Sequence, residues 1–314
     1  MDGIESSKAG VAASGAAERA GNLDRLVIRL STAYLLAFMA LARDLFDQDV
    51  AKGLVFIGYV HGNVGHLDHN PADRGRFDSL DHVPTQAEAR PLRPHKLALS
   101  LGLARETVRR KSAELAAEGW LVETGRGFAA SPRAAASEKL LGAILRNKML
   151  VDELIGELAS VGLAARPEPE AVRAPPYRAI IRLSLGYVLR CMDEVRQLFD
   201  GDILTGLIFC AVIDANTAHL IGAAGARYAA LEDHVPDDLR RPISALALST
   251  RLGLPRETVR RHVRKLEQKG ACETVEGGLV VPQAVLRQPH IVAATVRNAA
   301  NVRLLVRQLR DAGY

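Results

Sequence analysis

The chain has 314 residues, 48% hydrophobic but only 4% aromatic, with three cysteines and a formal charge of +5. That length suffices for two packed domains, and a composition rich in Ala and Leu but poor in aromatics favours helices over an all-β sandwich. Cys191, Cys210 and Cys272 are odd in number, widely spaced and without a CxxC, which excludes a disulfide framework and a zinc ribbon, whereas the mild basicity admits a nucleic-acid partner.

Residues 1–22 hold Ala, Gly, Ser and Glu without an apolar run, so they read as a disordered tail and not as a signal peptide. A helical pair is expected over 24–69. Leu30, Tyr34, Leu35, Phe38, Met39, Ala42 and Leu45 recur at the three-and-four spacing of one helix face, and Asp47 or Asp49 is placed to cap the second helix. The lipophilic run from Leu30 to Leu41 lies between Arg29 and Arg43. It is shorter than the roughly 20 residues a bilayer requires, so it reads as a buried bundle helix in a cytoplasmic protein with no membrane partner.

Residues 70–94 are rich in Pro, Asp, Arg and Gly and form a long irregular connection. A helix, a Leu101-Gly102-Leu103 turn and a second helix beginning Ala104-Arg-Glu-Thr-Val-Arg-Arg110 follow. Trp120 to Ala130 reads as two short strands around a Gly-Arg-Gly tip, a β-hairpin wing. The winged helix-turn-helix thus spans 90–130, and a C-terminal helix is expected over 134–161. Residues 164–177 form a Pro-rich linker.

After the linker the pattern repeats. Ile181-Arg-Leu-Ser184 matches Ile28-Arg-Leu-Ser31, Leu198-Phe-Asp200 matches Leu45-Phe-Asp47, and Asp233-His-Val-Pro236 matches Asp81-His-Val-Pro84. Leu252-Gly-Leu-Pro-Arg-Glu-Thr-Val-Arg-Arg261 matches the first turn and helix, and Arg297-Asn298 matches Arg146-Asn147. The offset drifts only from 153 to 151 residues. Repeat A therefore spans 23–163. Repeat B spans 178–314, with a helical pair at 178–222, a winged helix at 241–281 and a C-terminal helix at 289–312. The expected fold is mainly α with small β-hairpin wings, a tandem duplication of a helical segment plus winged helix-turn-helix about a pseudo-twofold axis.

Placed at about 100° per residue, Val108 and Leu115 point inward, as do Val259, Val263 and Leu266. Glu106 and Arg110 lie opposite, flanked by Thr107 and Arg109, with Arg105 at the helix start. The second set is Arg256, Glu257, Thr258, Arg260 and Arg261. The N-terminal part of a recognition helix enters the major groove, where Arg reads guanine and Glu accepts from cytosine. Arg126 at the first wing tip is placed to enter a minor groove, whereas the second tip, Glu276-Gly277-Gly278, lacks a cation and is expected to contribute little. Residues 90–130 carry eight Arg or Lys against four Glu, and residues 239–281 nine against four. The positive charge is therefore concentrated in the two modules. The simplest alternative is a solvated charged face, with Glu106–Arg110 and Glu257–Arg261 as stabilising i,i+4 pairs.

These motifs resemble the winged helix-turn-helix of the bacterial Crp/Fnr transcription regulators over about 40 residues per repeat. The resemblance implies that Arg105, Glu106 and Arg110, and then Arg256, Glu257 and Arg261, contact bases. The serine usual at the recognition-helix cap is Ala104 in one copy and Pro255 in the other. Helices stand where that family carries a cyclic-nucleotide β-roll, so its effector mechanism is not implied. The expected partner is double-stranded DNA bearing an imperfect palindrome, read by one chain acting as an intramolecular pseudo-dimer, with a further homodimer as an open option.

Asn63 and His66 match Asn216 and His219 and are candidates for a small-molecule effector or an inter-repeat polar contact. An alternative function follows: a ligand- or metal-responsive regulator that senses through its helical core. His61, His66, Asp68 and His69 crowd together, but repeat B keeps only His219 of the histidines, so no metal is expected. No nucleophile motif or phosphate loop accompanies them, so neither an enzyme nor a cofactor is expected. A winged helix that binds protein and not DNA is a further alternative, separated by mutating Arg110 and Arg261.

Overall fold

The computed structural model describes residues 23–69, 75–165, 175–220 and 222–314. The expected N-terminal tail, and most of the Pro-rich linker, lie outside the described residues. The first half forms α1 (Asp24–Asp44), α2 (Val50–Val64), a 3₁₀ turn (Gly65–His69), α3 (Pro94–Leu101), α4 (Arg105–Ala117), β1 (Leu121–Thr124), β2 (Gly127–Ala130), α5 (Pro132–Ala135) and α6 (Glu138–Ser160). The second half repeats that order as α7 (Tyr177–Leu198), α8 (Ile203–Thr217), 3₁₀ turns Gly222–Tyr228 and Asp237–Leu239, α9 (Ala245–Leu252), α10 (Arg256–Gln268), β3 (Glu273–Val275), β4 (Gly278–Val280), α11 (Gln283–Leu286) and α12 (Pro289–Asp311).

Local chemistry sets the boundaries. Asp49 caps α2 by accepting the Lys52 N–H at 2.9 Å, and Asp202 caps α8 through the Thr205 N–H at 3.1 Å. Of the two candidate caps, Asp49 is therefore the one used. Asp47 takes φ +50° in the preceding turn. The helix expected over 134–161 is broken near its start. Ser131 accepts the Ala134 N–H and Ser137 the Leu140 N–H, so each serine begins a new helix with extended backbone.

The turn before α2 places Gln48 at φ +72°, where the second half has Gly201 at φ +89°. A left-handed backbone costs a side chain about 1–2 kcal/mol. Gln48 recovers little, through one exposed bond to Asp44 at 2.9 Å. Gln48→Gly is therefore expected to raise stability by about 0.5–1 kcal/mol, read as a higher urea midpoint. A lower midpoint would show that the Asp44 bond outweighs the strain.

One hydrophobic core joins the halves. α1 packs on α2 and α6 of its own half and on α8 and α12 of the other, and α7 packs on α8 and α12 of its own half and on α2 and α6 of the other. Tyr34 and Tyr187 meet with ring centroids 5.9 Å apart, among Phe38, Leu154, Val188 and Leu305. By length and composition α1, with 21 residues, could cross a bilayer, contrary to the expectation of too short an apolar run. Its apolar side is instead covered by the bundle, with Tyr34, Leu35, Phe38 and Met39 all buried.

Among the polar contacts between halves, two sets match across the repeat. Asn147 accepts from Tyr34 Oη and donates to Ser184 Oγ, both at 3.1 Å. Asn298 accepts from Tyr187 Oη at 3.4 Å and donates to Ser31 Oγ at 3.0 Å. Each asparagine thus ties the long helix of its own half to that of the other. The second set is an exchange of arginines. Arg182 on α7 reaches into the first half, donating to Asp68 and Asp78 at 2.8 Å and to the Phe77 carbonyl at 2.6 Å. Arg29 on α1 reaches into the second half and donates to the Gly225 carbonyl at 3.0 Å.

Candidate nucleic-acid interface

In each half the first helix of the pair ends on a left-handed glycine, Gly102 at φ +64° and Gly253 at φ +63°. That conformation is costly for any other residue. It closes the helix with Leu103 N–H to Ala98 O and Leu254 N–H to Ser249 O, both 3.1 Å. The second helix then starts at Arg105 or Arg256. Val108, Leu115, Val259 and Leu266 are wholly buried, which fixes the rotation of each helix. The opposite side faces solvent. Arg105, Glu106, Arg109, Arg110, Arg256, Glu257, Arg260 and Arg261 are exposed, and Thr107 and Thr258 are half-buried.

Neither helix has a side-chain cap at Ala104 or Pro255. The first-turn N–H groups are therefore free to meet an anion. The exposed pairing differs from the i,i+4 expectation. Glu106 accepts two bonds from Arg109, at 2.8 and 2.6 Å, and this holds its carboxyl below the usual range. Arg110 turns to Glu114 at 3.2 Å. In the second helix Glu257 lies 3.6 Å from Arg260, and Lys265 stands where the first has Glu114, so Arg261 finds no carboxylate one turn on. Exposed pairs of this kind contribute little stability and exchange readily for a phosphate or a base edge.

The buried side of each helix is bolted to the helical core at the cap of α2 or α8. Lys111 donates to Asp49 at 2.6 Å and to Glu114 at 2.7 Å. Burial raises the Asp49 carboxyl, but the Lys111 ammonium and the Lys52 N–H more than reverse this and hold it low. In the second half His262 takes the place of Lys111. Its Nδ1 bonds Thr205 Oγ1 at 2.7 Å, burial pushes it below the usual imidazole range, and Lys265 reaches Asp202 at 2.6 Å. Sequence reading missed this joint, although Asp49 and Asp202 recur at the repeat offset.

The hairpins form as expected, Leu121 opposite Ala130 and Glu273 opposite Val280. Each gains a third partner from the segment before the first helix, Leu92 with Phe128 and Ile243 with Leu279. Gly127 and Gly278 sit at φ +128° and +138°, and a Cβ there would lie 2.5 or 2.4 Å from the Leu92 or Ile243 carbonyl oxygen. Only glycine allows this close approach. Arg126 is exposed at the first tip and Glu276 at the second.

Asn63 and Asn216 require a correction. Both are wholly buried. Asn63 donates to the Arg90 and Phe128 carbonyls at 2.7 and 3.2 Å and accepts the Ala130 N–H at 2.8 Å. Asn216 does the same with Arg241 O, Leu279 O and Val281 N–H, at 2.7, 3.1 and 3.0 Å. With both amide N–H groups and the side-chain carbonyl engaged, each asparagine holds the wing to the helical core within its own half. His66 and His219 are half-buried on the segments just beyond. Asn147, Asn298, Arg29 and Arg182 are among the side chains that contact the other half instead. Asp68 of the histidine-rich stretch is engaged by Arg182, and among the described residues no three His, Cys, Asp or Glu side chains are grouped to hold a metal.

No curated protein and no solved structure matches the chain. A family model described as winged helix-turn-helix DNA-binding matches residues 241–271, the segment from Arg241 through the turn at Gly253 and the whole of α10. Residues 241–271, with the exposed Arg256, Glu257, Arg260 and Arg261 on their second helix, are a winged helix-turn-helix DNA-binding domain.

Proposed function

We propose that the chain is a sequence-specific transcription regulator carrying two winged helix-turn-helix modules, 90–130 and 241–281, that arose by tandem duplication and act as an intramolecular pseudo-dimer. The observation that carries this reading is the first module's likeness to the matched one. Arg105, Glu106, Arg109 and Arg110 stand in the same order as Arg256, Glu257, Arg260 and Arg261, exposed on a helix set by the same glycine turn and the same asparagine clamp. The pattern's resemblance to Crp/Fnr recognition helices supports assigning base contacts to Arg105, Glu106, Arg110 and their counterparts. The reciprocal packing of α1 and α7 supports a pseudo-twofold core. The wing tips differ in charge, which supports an imperfect palindrome as the preferred site.

The test is selection of binding sites from random duplexes with the full chain. The expected result is one motif with two related half-sites about 10 base pairs apart, or a multiple of this. A motif with a single half-site, unaffected by Arg105→Ala with Arg110→Ala, would overturn the pseudo-dimer. Absence of any enriched motif would overturn sequence-specific binding.

A further inference from the structure

Each half contains a cavity at the place where the long helix of the other half enters it. Both hold about 120 Å³, the order of the ~150 Å³ engineered cavity that takes up benzene. The two occupy matching positions but differ in chemistry. In the first half, Arg178 and Arg182 line a wall that is otherwise mostly apolar. Arg182 is neutralised there by Asp68 and Asp78. Arg178 donates through Nη2 to the Leu80 and Ala135 carbonyls, and its Nε is buried without a partner among the described residues.

In the second half the matching arginines are Arg25 and Arg29, but the carboxylates are gone. The sequence has Ile221 where the first half has Asp68, and Ala229-Ala230 where it has Asp78. A third cation is added, because Arg240 stands in the position of Ala89. Arg240 is 5% exposed. It donates through Nε to Asp237 at 3.1 Å and through Nη2 to the Val235 carbonyl at 2.9 Å. Among the described residues its Nη1 is buried without a partner, and so is Arg29 Nη1. Burial, and then the neighbouring Arg240, pull Arg25 down to about 10. Two carboxylates also line this cavity, Asp233 and Glu194, and Glu194 is taken by Arg297 at 2.7 Å.

Buried guanidinium N–H groups left unpaired are costly, and an anion that accepts from them removes the cost. The remaining wall is apolar, with Leu35, Phe209, Leu286 and Ile291. Cys191 and Cys210 add to it, since burial pushes both thiols up to about 12 and keeps them neutral. We propose that the second-half cavity binds a small organic carboxylate with an apolar body the size of one ring, its carboxylate held by Arg29 and Arg240. The site lies beside the DNA-binding domain. Arg241, the next residue, gives its N–H to the Asn216 carbonyl at 3.1 Å, and Asn216 holds the wing. A consequence for DNA affinity rests on the regulator reading, whereas the binding itself does not.

Calorimetric titration of the full chain, without DNA, with benzoate and with the neutral isostere benzamide separates the two questions. Benzoate is expected to saturate one site and benzamide to bind at least about tenfold more weakly. Arg240→Gln is expected to weaken benzoate at least about tenfold while leaving the thermal transition cooperative. Ala294→Phe, which fills the cavity and keeps every arginine, is expected to abolish binding. No saturable benzoate binding in the millimolar range, equal binding of benzamide, or undiminished binding by either variant would overturn the site. If Arg240→Gln does not fold, Ala294→Phe alone decides.

Discussion

Replacing Arg256 and Arg261 together by alanine is expected to weaken binding to the selected duplex by about 2–6 kcal/mol, since each bidentate arginine–base contact contributes roughly 1–3 kcal/mol. Fluorescence anisotropy at fixed salt would read this as a loss of between about thirtyfold and about twenty-thousandfold. The fold should be untouched, because both side chains are exposed, and such surface changes usually stay within about 0.5 kcal/mol. Arg105→Ala with Arg110→Ala is expected to cost a comparable amount if both modules engage one duplex. Salt dependence distinguishes the kinds of contact. Loss of a base contact leaves the slope of log affinity against log salt nearly unchanged, whereas loss of a phosphate contact lowers it by about 0.9. A second-module variant that binds like the wild type, with an unchanged slope, would remove these arginines from the interface. A loss confined to the second-module variant would leave one working DNA reader and a first module with some other task.

Much of this interface was legible in the sequence because its determinants are local. Val108 and Leu115 set the buried stripe, Gly102 and Gly253 mark left-handed turns, and helical geometry then places Arg105, Glu106 and Arg109 outside. The rest depends on partners far away in the chain. Nothing near Arg29 or Arg182 in the sequence shows that each points into the opposite half. Asn63 and Asn216 were recognisable as a repeated pair, but their partners are backbone groups some 25–67 residues on, which no side-chain pattern reveals. The partner of Glu106 turned on rotamers, since Arg109 and Arg110 both lie within its reach and Glu114 draws Arg110 away. The one-residue differences between repeats carry the remainder. Ala89 against Arg240 adds a cation to the lining of the second-half cavity.

The largest effect on stability is expected from Arg182→Ala. Arg182 is 5% exposed and binds two carboxylates, Asp68 and Asp78, which are themselves only 14% and 12% exposed. Removing it takes the guanidinium from both and strands the Phe77 carbonyl, and breaking a buried ion pair from one side costs about 3–5 kcal/mol. Against a typical total of about 5–15 kcal/mol, that is a large share, read as a lower urea midpoint with an unchanged slope. Asp78→Asn in the Arg182→Ala background is expected to recover part of the loss, because much of it is the repulsion and poor solvation of carboxylates left behind. Arg29→Ala, the counterpart in the other half, is expected to cost only about 1–2 kcal/mol, since Arg29 reaches a carbonyl and leaves no carboxylate exposed to a missing partner. The inequality between two matching positions is the informative result. Equal losses would show that the arginines act by packing alone. A loss at Arg182 under about 1 kcal/mol would place the pair among ordinary surface ion pairs and leave the shared tyrosine, serine and asparagine contacts of the central helices as what joins the halves.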